Sequence, residues 1–366
     1  MVHILTFLLP CLAAFLLTTV LMPQVIRFAK ACNCLDIPGE RRIHTKITPR
    51  WGGAAFFIGV LPILLFADSG MAMPWFIIAA GILVGIGIID DRIALGWKVK
   101  FACMAVASAV VIFGGNVVVR HIGTFGILGS VDLGWYGIPF TLIAIIGVTN
   151  AINLLDGLNG LAGGISLLGF LFMGFAAVIA DNVQVALICF TFVGALGAFL
   201  RFNFPDARIF MGDTGSLFLG FSLSVVAVLL TQDAASPREP MFPLLVLILP
   251  IFDAIRVIIV RLLRGKNPFH ADNLHLHHLM VQKKYSPVNA VLTLWTVTAI
   301  CGGIALVLQG STSALFLIVV MYAVLLLSLF AMSLTREQCA EGKGRLEIQE
   351  VAVQSGRPSI GKIATP

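Results

Sequence analysis

The segment Pro74-Trp-Phe-Ile-Ile-Ala-Ala-Gly-Ile-Leu-Val-Gly-Ile-Gly-Ile-Ile-Asp90-Asp91-Arg92 decides the fold of this chain. It has no charged residue before Asp90, and then three in succession. A helix that spans a membrane needs about 20 mostly apolar residues, and this segment is a short example. The charges mark the point at which the span leaves the bilayer.

Similar apolar segments recur along the 366 residues, of which 59% are hydrophobic and only 11% are charged. A soluble domain carries about 25% charged residues, so the composition excludes a soluble globule. We predict an all-α integral membrane protein with about eleven transmembrane helices. The predicted spans are residues 4–26, 52–67, 74–89, 101–119, 138–155, 162–180, 184–200, 215–230, 242–263, 289–308 and 313–333.

Basic residues are distributed unevenly around these spans. All of the 24 Lys and Arg residues except Arg120 and Arg238 fall on one side. Cytoplasmic loops carry this excess in membrane proteins, so we predict a periplasmic N-terminus and a cytoplasmic C-terminus. The net charge of +6 then reflects topology and not nucleic-acid binding. We expect one membrane domain over residues 1–334 and a disordered cytoplasmic tail over 335–366, which is polar with scattered Gly and Pro.

The first cytoplasmic connection, residues 36–53, contains a basic cluster. Two interpretations are open. The cluster could provide positive-inside charge that attracts anionic lipid. It could instead bind an anion, with Gly52 and Gly53 allowing close backbone approach at a helix start. The members of the cluster are Arg41, Arg42, His44, Lys46 and Arg50.

Two polar groups follow at the cytoplasmic ends of later spans. Asp90 and Asp91 lie at a helix C-terminus, where they repel each other and oppose the helix dipole. A solvated terminus is one interpretation, and a site that needs negative charge for a metal ion or a proton is the other.

The fifth predicted span ends in three polar residues spaced at intervals of three: Asn150, Asn153 and Asp156. This spacing places them on one face of a helix, before a Gly-rich break. Helix packing could explain them, but the cost of buried amides favours a site.

The eighth predicted span begins at Met211-Gly-Asp-Thr-Gly-Ser216. Asp213, Thr214 or Ser216 could cap this helix through a side-chain oxygen. A carboxylate and backbone N–H groups at a helix start are also suited to bind Mg²⁺ and phosphate together. Both interpretations are open.

Three histidines, His275, His277 and His278, lie in a basic cytoplasmic loop. A zinc site, a phosphate-binding site and a solvated loop are the alternatives. No cysteine lies at a finger-like spacing from these histidines, so phosphate recognition is favoured over zinc.

In their order along the chain, these motifs resemble those of the polyprenyl-phosphate N-acetylhexosamine-1-phosphate transferases. The resemblance implies transfer of a HexNAc-1-phosphate from a UDP-sugar to undecaprenyl phosphate, with release of UMP. It places the reaction at the cytoplasmic face of the bacterial inner membrane, where the product initiates a cell-envelope polysaccharide such as O-antigen. The matching segments are residues 36–53, 90–91, 150–164, 203–216 and 275–278.

The substrate depends on the branch of the family. Eleven spans with an inside tail, and Asn159 where the muramoyl-peptide branch has Asp, favour UDP-GlcNAc over UDP-MurNAc-pentapeptide. Another UDP-aminosugar is a further alternative for the substrate. For the oligomeric state, a homodimer is one alternative.

A secondary transporter is the alternative function from outside the enzymes. Transporters carry ionisable residues near the bilayer midplane on broken helices, whereas the predicted span centres carry essentially none.

The resemblance also implies roles for individual residues. Asp213 and Asn153 are expected to bind Mg²⁺, with Mn²⁺ as an alternative ion. Asp90 is expected to align the acceptor phosphate, which is mostly dianionic at neutral pH; general base and nucleophile are its alternative roles. Asp91 is expected to hold Lys100 or a metal-bound water. Substrate contacts are expected from His44, Lys100, Asp156, Asn159, Asn203, His275, His277 and His278.

Overall fold

The computed structural model describes residues 2–37, 46–66, 72–125, 129–232, 239–265, 267, 274–308, 316 and 318. His44 and the tail over 335–366 lie outside the described residues, as does the predicted eleventh span apart from Phe316 and Ile318. The helices within the described residues are α1 (Val2–Ala31), α2 (Gly52–Phe66), α3 (Ala72–Ile93), α4 (Trp97–Ala109), α5 (Gly137–Leu155), α6 (Leu161–Ile179), α7 (Val183–Asn203), α8 (Gly212–Thr231), α9 (Met241–Val246), α10 (Ile248–Leu263), α11 (Leu276–Gln282) and α12 (Pro287–Leu308).

Eight helical segments within the described residues are long and apolar enough to cross a membrane, so the chain is a mostly helical, multi-pass membrane protein. The predicted second span corresponds to α2, which has 15 residues. The predicted ninth span, residues 242–263, is interrupted at Leu247 and forms α9 and α10. Proline has no backbone N–H, so Pro250 cannot continue α9 and is accommodated in the first turn of α10.

Two spans are longer than their apolar stretches predict. The third, predicted over residues 74–89, is the 22-residue α3, and the eighth, predicted over 215–230, is the 20-residue α8. Both helices continue past the apolar limit into the polar motifs. Asp90 and Asp91 therefore lie in the last turn of α3, and Asp213 lies in the first turn of α8.

The polar motifs meet at one end of the helical bundle. The C-terminal ends of α3, α5 and α7 lie there beside the first turn of α8 and the start of α12, because residues from all of these ends line one cavity. Lys100, in the first turn of α4, also reaches Asp90 and Asp213. Odd-numbered spans thus end where even-numbered spans begin, as the alternating topology predicts.

Helix α8 is the central element of the bundle. Within their apolar windows, 89% of α8 is buried inside the protein but only 17% of α1. Lipid tails are as apolar as the side chains, so association of these helices relies on close packing. Gly53 of α2 and Gly215 of α8 provide such packing, because a Cβ on Gly53 would lie 2.1 Å from the Gly215 nitrogen.

Two short hairpins lie between helices. Strands β1 (Leu35–Asp36) and β2 (Thr48–Pro49) are antiparallel and join the two ends of the connection between α1 and α2. Strands β3 (His121–Phe125) and β4 (Gly129–Asp132) form the second hairpin, which Gln232 at the end of α8 binds through the backbone of His121. The first hairpin places its basic residues beside the site described next.

Candidate active site

A cavity of about 530 Å³ opens at the end of the bundle where the polar motifs meet. Its wall includes residues from the first hairpin, from the ends of α3, α5 and α7, and from the start of α8. Six residues predicted from the sequence to form the site line it: Asp91, Asp156, Asn159, Asn203, Asp213 and His278.

Lys100 joins two of the predicted catalytic carboxylates beside this cavity. Its Nζ lies 2.8 Å from Asp213 Oδ2 and 3.3 Å from Asp90 Oδ2. The other oxygen of Asp90 accepts the Leu95 backbone N–H at 2.6 Å. A cation between two carboxylates offsets their mutual repulsion, so Lys100 lowers the cost of holding Asp90 and Asp213 at close range.

Asp91 has a different position from the one predicted. Its Oδ1 accepts the Asp213 backbone N–H at 2.9 Å, and its Oδ2 accepts the Thr214 hydroxyl at 2.7 Å and the Thr214 N–H at 3.2 Å. Asp91 therefore caps α8 from another helix, where no side chain of α8 does so. Gly212 permits this contact with φ +70, because a Cβ there would lie 2.3 Å from Asp91 Oδ2. Asp91 does not contact Lys100, which binds Asp90 and Asp213 instead, so that part of the prediction is wrong; a contact of Asp91 with a metal-bound water stays a prediction.

Arg50 brings positive charge from the first hairpin to this group of carboxylates. Its guanidinium lies 3.2 Å from Asp36 and 3.8 Å from Asp91 Oδ1, and its side chain is 26% exposed. Arg50 and Lys46 both line the cavity. For these two residues, the position favours the anion-binding interpretation of the basic cluster over lipid attraction.

The amide row of α5 faces the start of α8. Asn153 donates a hydrogen bond from Nδ2 to Ser216 Oγ at 2.8 Å and lies beside Asp213. Asp156 follows the last residue of α5 and lines the cavity. Burial away from bulk water raises the pKa of Asp156 to about 7, and the negative charges of Asp213 and Asp91 contribute. The pKa of this carboxyl is therefore shifted upward into the neutral range.

Asn203 and Asn159 hold loops at the rim of the cavity. The Asn203 side chain is buried; it accepts the Gly160 N–H at 2.6 Å and donates to the Ile209 carbonyl at 2.9 Å. Asn159 donates to the Pro205 carbonyl at 3.0 Å. Asn203 therefore uses both its amide oxygen and its amide nitrogen to hold the loops of the cavity wall. Asn159 uses only its amide nitrogen, so its amide oxygen can accept a hydrogen bond from a ligand.

The three histidines occupy three different environments. His275 Nδ1 lies 2.8 Å from Asp253 Oδ2 in the protein interior. His277 is 0% exposed, and a Cβ on Gly157 would lie 2.3 Å from its Nε2. His278 lines the cavity. Of the three predicted phosphate contacts, only His278 is placed to meet a cavity ligand in this structure.

Asp253 and Arg256 are part of this region but were not among the predicted site residues. They lie in α10, inside the predicted ninth span, and both are buried. The prediction that span centres carry essentially no ionisable residues is therefore wrong for this span. The detectable signal was an acidic and a basic residue three positions apart in an apolar segment, which share a helix face.

The buried ring of His277 should make folding stability depend on pH. Both ring nitrogens lack a hydrogen-bond partner among the described residues, and burial, with the charge of His278 contributing, lowers the pKa of His277 to about 3. Below about pH 6.5 the unfolded chain binds a proton that the folded protein does not, at a cost of about 1.4 kcal/mol per pH unit. The contribution of the neutral His277 ring to the free energy of unfolding is therefore complete above pH 6.5, and it is lost progressively as the pH falls from 6.5 towards 3.

We expect the apparent unfolding temperature in detergent to fall more steeply between pH 7 and pH 4.5 for the wild type than for His277→Gln. Thermal denaturation across this pH range measures the difference, and the other titrating groups are common to both proteins. Parallel curves would contradict a neutral, buried His277.

The available donors fit a magnesium ion better than zinc. Asp213 and Asn153 each carry a side-chain oxygen at the start of α8 and the end of α5, and Mg²⁺ takes few protein oxygens while keeping several waters. Within the described part of the chain, no group of three or more His, Cys, Asp or Glu is arranged to hold a metal ion. A closed zinc site usually needs four such ligands.

Comparison of the sequence with known proteins identifies the family of this chain. The sequence matches glycosyl transferase family 4 over residues 73–231. It is 33% identical over 323 residues to a probable undecaprenyl-phosphate N-acetylglucosaminyl 1-phosphate transferase of Bacillus subtilis, covering 87% of this chain and 90% of that protein. It is 31% identical over 303 residues to the undecaprenyl-phosphate alpha-N-acetylglucosaminyl 1-phosphate transferase of Haemophilus influenzae, covering 81% and 84% of the two chains.

Proposed function

Because this chain belongs to glycosyl transferase family 4 together with undecaprenyl-phosphate N-acetylglucosaminyl 1-phosphate transferases, we propose that it transfers N-acetylglucosamine 1-phosphate from UDP-N-acetylglucosamine to undecaprenyl phosphate. An oxygen of the lipid phosphate attacks the β-phosphorus of the nucleotide sugar. The bond from that phosphorus to the bridging oxygen breaks, and UMP leaves with the electron pair. The lipid-linked diphosphate sugar would initiate a cell-envelope polysaccharide.

The observation that carries this proposal is the group of ionisable side chains at the ends of the membrane spans. Lys100 joins Asp90 and Asp213 beside a cavity that also contains Arg50 and His278. Both reactants are anions, so the transfer requires positioning and charge neutralisation more than covalent chemistry. A polar cavity at a membrane surface is suited to a lipid phosphate and a soluble nucleotide sugar.

Each residue has a role in this scheme. Asp90, held by Lys100 and the Leu95 N–H, aligns the acceptor phosphate. Asp91 positions Asp213 through the first turn of α8. His278 contacts a phosphate, and Asn159 faces the nucleoside. Because Asp156 can be protonated at neutral pH, it can donate or accept a hydrogen bond while orienting the same loop.

Asp213 and Asn153 would hold the divalent cation. When bound, Mg²⁺ supplies positive charge to the diphosphate of the nucleotide sugar.

We expect EDTA to lower UMP release by about 100-fold or more, since a metal ion contributes several kcal/mol to the stability of such a transition state. Added Mg²⁺ should restore the rate, and Mn²⁺ should substitute. Full turnover in EDTA by protein shown to be metal-free would contradict a metal requirement.

The cavity belongs, in this proposal, on the cytoplasmic face of the bacterial inner membrane. The support comes from charge: Lys46, Arg50 and Lys100 lie at the cavity end, as does most of the Lys and Arg content in the predicted topology. Cytoplasmic loops carry this excess of basic residues.

A cysteine introduced at the end of the helical bundle opposite the cavity, for example Asp181→Cys, should react with a membrane-impermeant thiol reagent added to intact cells.

The test of function is UMP release by the purified protein in detergent with undecaprenyl phosphate, Mg²⁺ and a panel of UDP-sugars. We expect lipid-dependent release with UDP-N-acetylglucosamine. Release only with UDP-MurNAc-pentapeptide or another UDP-aminosugar would keep the chemistry and change the substrate. No release with any nucleotide sugar, from folded protein, would overturn the proposal and favour transport.

A further inference from the structure

Asp253 contacts the segment that leads into α11 through both of its carboxylate oxygens. Oδ2 lies 2.8 Å from His275 Nδ1, and Oδ1 accepts the Leu276 N–H at 3.0 Å. Arg256, on the same face of α10, donates to Asp253 Oδ1 at 2.7 Å and also to the Leu274 carbonyl. The Asp253 carboxylate and the Arg256 guanidinium thus bind three successive residues, Leu274, His275 and Leu276.

This network is inside the protein and not on its surface. Asp253 is 3% exposed, His275 4% and Arg256 8%. Removing one partner of a buried ion pair leaves an uncompensated charge and is strongly destabilising. The backbone of residues 274–276 is therefore fixed relative to α10, since any displacement would leave buried polar groups without partners.

The fixed segment determines where the remaining histidines lie. The His277 ring follows it and packs against Gly157, in the loop that carries Asp156 and Asn159. The His278 ring centre lies 4.2 Å from that of His277, and His278 lines the cavity. A shift of the segment would move His278 and would loosen the contact between His277 and Gly157.

We propose that Asp253 is a positioning residue for the transfer reaction, acting through residues 274–278 to hold His278 at the cavity. Asp253 is not among the residues that line the cavity, so it acts without touching the substrates. The inference rests on the proposed function for its catalytic consequence. The hold that Asp253 has on the histidine segment can be measured without turnover.

The kinetic test is a double-mutant cycle of Asp253→Asn and His278→Ala, measured by UMP release. Asparagine keeps the size of the side chain but loses the charge that binds Arg256 and His275. We expect kcat/KM to fall by about 100-fold in Asp253→Asn, because a misplacement of about 1 Å can cost that much. The double variant should be no more than about twofold slower than His278→Ala, since coupled residues are not additive. Losses that multiply would overturn the proposal.

A second readout follows the histidine segment directly. Diethyl pyrocarbonate modifies accessible neutral imidazoles, and mass spectrometry locates the label. His275 and His277 should react at least about tenfold faster in Asp253→Asn than in the wild type, because local opening exposes buried groups. The matched control is Asp132→Asn, an exposed aspartate of β4 at the opposite end of the bundle, which should match the wild type in both assays.

Wild-type modification rates and wild-type turnover in Asp253→Asn would overturn the proposal. If the wild-type protein releases no UMP with any UDP-sugar, the proposed function fails instead. The modification rates then decide alone whether Asp253 holds the segment.

Discussion

UMP release should fall by about 1000-fold when Asp213 is replaced by alanine, the upper range for loss of one preorganised electrostatic group. Its carboxylate binds Lys100 at 2.8 Å and lies in the first turn of α8, where the helix dipole stabilises negative charge. It is also the proposed metal ligand beside Asn153. The substitution would therefore remove a metal ligand and leave Lys100 paired only with Asp90.

Steady-state UMP release measures this effect, with the Mg²⁺ concentration varied for each variant. Asp213→Asn keeps the size of the side chain and separates loss of charge from loss of volume; we expect it to be nearly as slow. Asp181→Ala, an exposed aspartate in the turn between α6 and α7, is the control and should keep wild-type activity. An Asp213→Ala protein with more than about one tenth of wild-type turnover and an unchanged Mg²⁺ dependence would exclude this role, since a lost metal ligand costs several kcal/mol.

Much of this site could be predicted from sequence because of where its residues stand in the spans. Asp90, Asn153 and Asp213 each lie at the end of an apolar stretch, and alternating spans bring those ends to one side of the membrane. Charges and amides at such positions are costly without a function. The family predicted from the motifs is confirmed by the relatives, which match most of the chain.

Contacts between distant segments could not be predicted. Asp91 caps the first turn of a helix through Asp213, 122 residues later in the chain, and no local pattern indicates which helix start a carboxylate will meet. The burial of His277 depends on Gly157, whose missing side chain leaves space for an imidazole ring. Asp253 lay inside a segment predicted as a continuous span, so its partner in the next loop could not be identified.

Replacing Gly53 by alanine should destabilise the protein and abolish most of its activity. The added Cβ would lie 2.1 Å from the Gly215 nitrogen, and real Cβ atoms do not approach a backbone atom so closely. Helices α2 and α8 would have to separate. Overpacking of this kind costs about 3 kcal/mol or more when backbone must move. A chain of this size should then lose about 5 °C or more in apparent unfolding temperature.

The same displacement reaches the active site, because Gly53 also donates its backbone N–H to the Met211 carbonyl at 3.0 Å, two residues before Asp213. We therefore expect UMP release to fall by about 100-fold even in the fraction that stays folded at low temperature. Thermal denaturation in detergent and turnover at 10 °C below the unfolding midpoint measure the two effects separately.

Gly81 of α3 is the matched control, since a Cβ there would meet nothing within 4 Å. Gly81→Ala should keep wild-type activity, and its stability should rise slightly, because alanine favours a helix over glycine by about 1 kcal/mol. Equal stability and turnover in Gly53→Ala and Gly81→Ala would show that α2 and α8 are not packed backbone to backbone. The position of Asp213 would then need another explanation, since this crossing supports the helix turn that carries it.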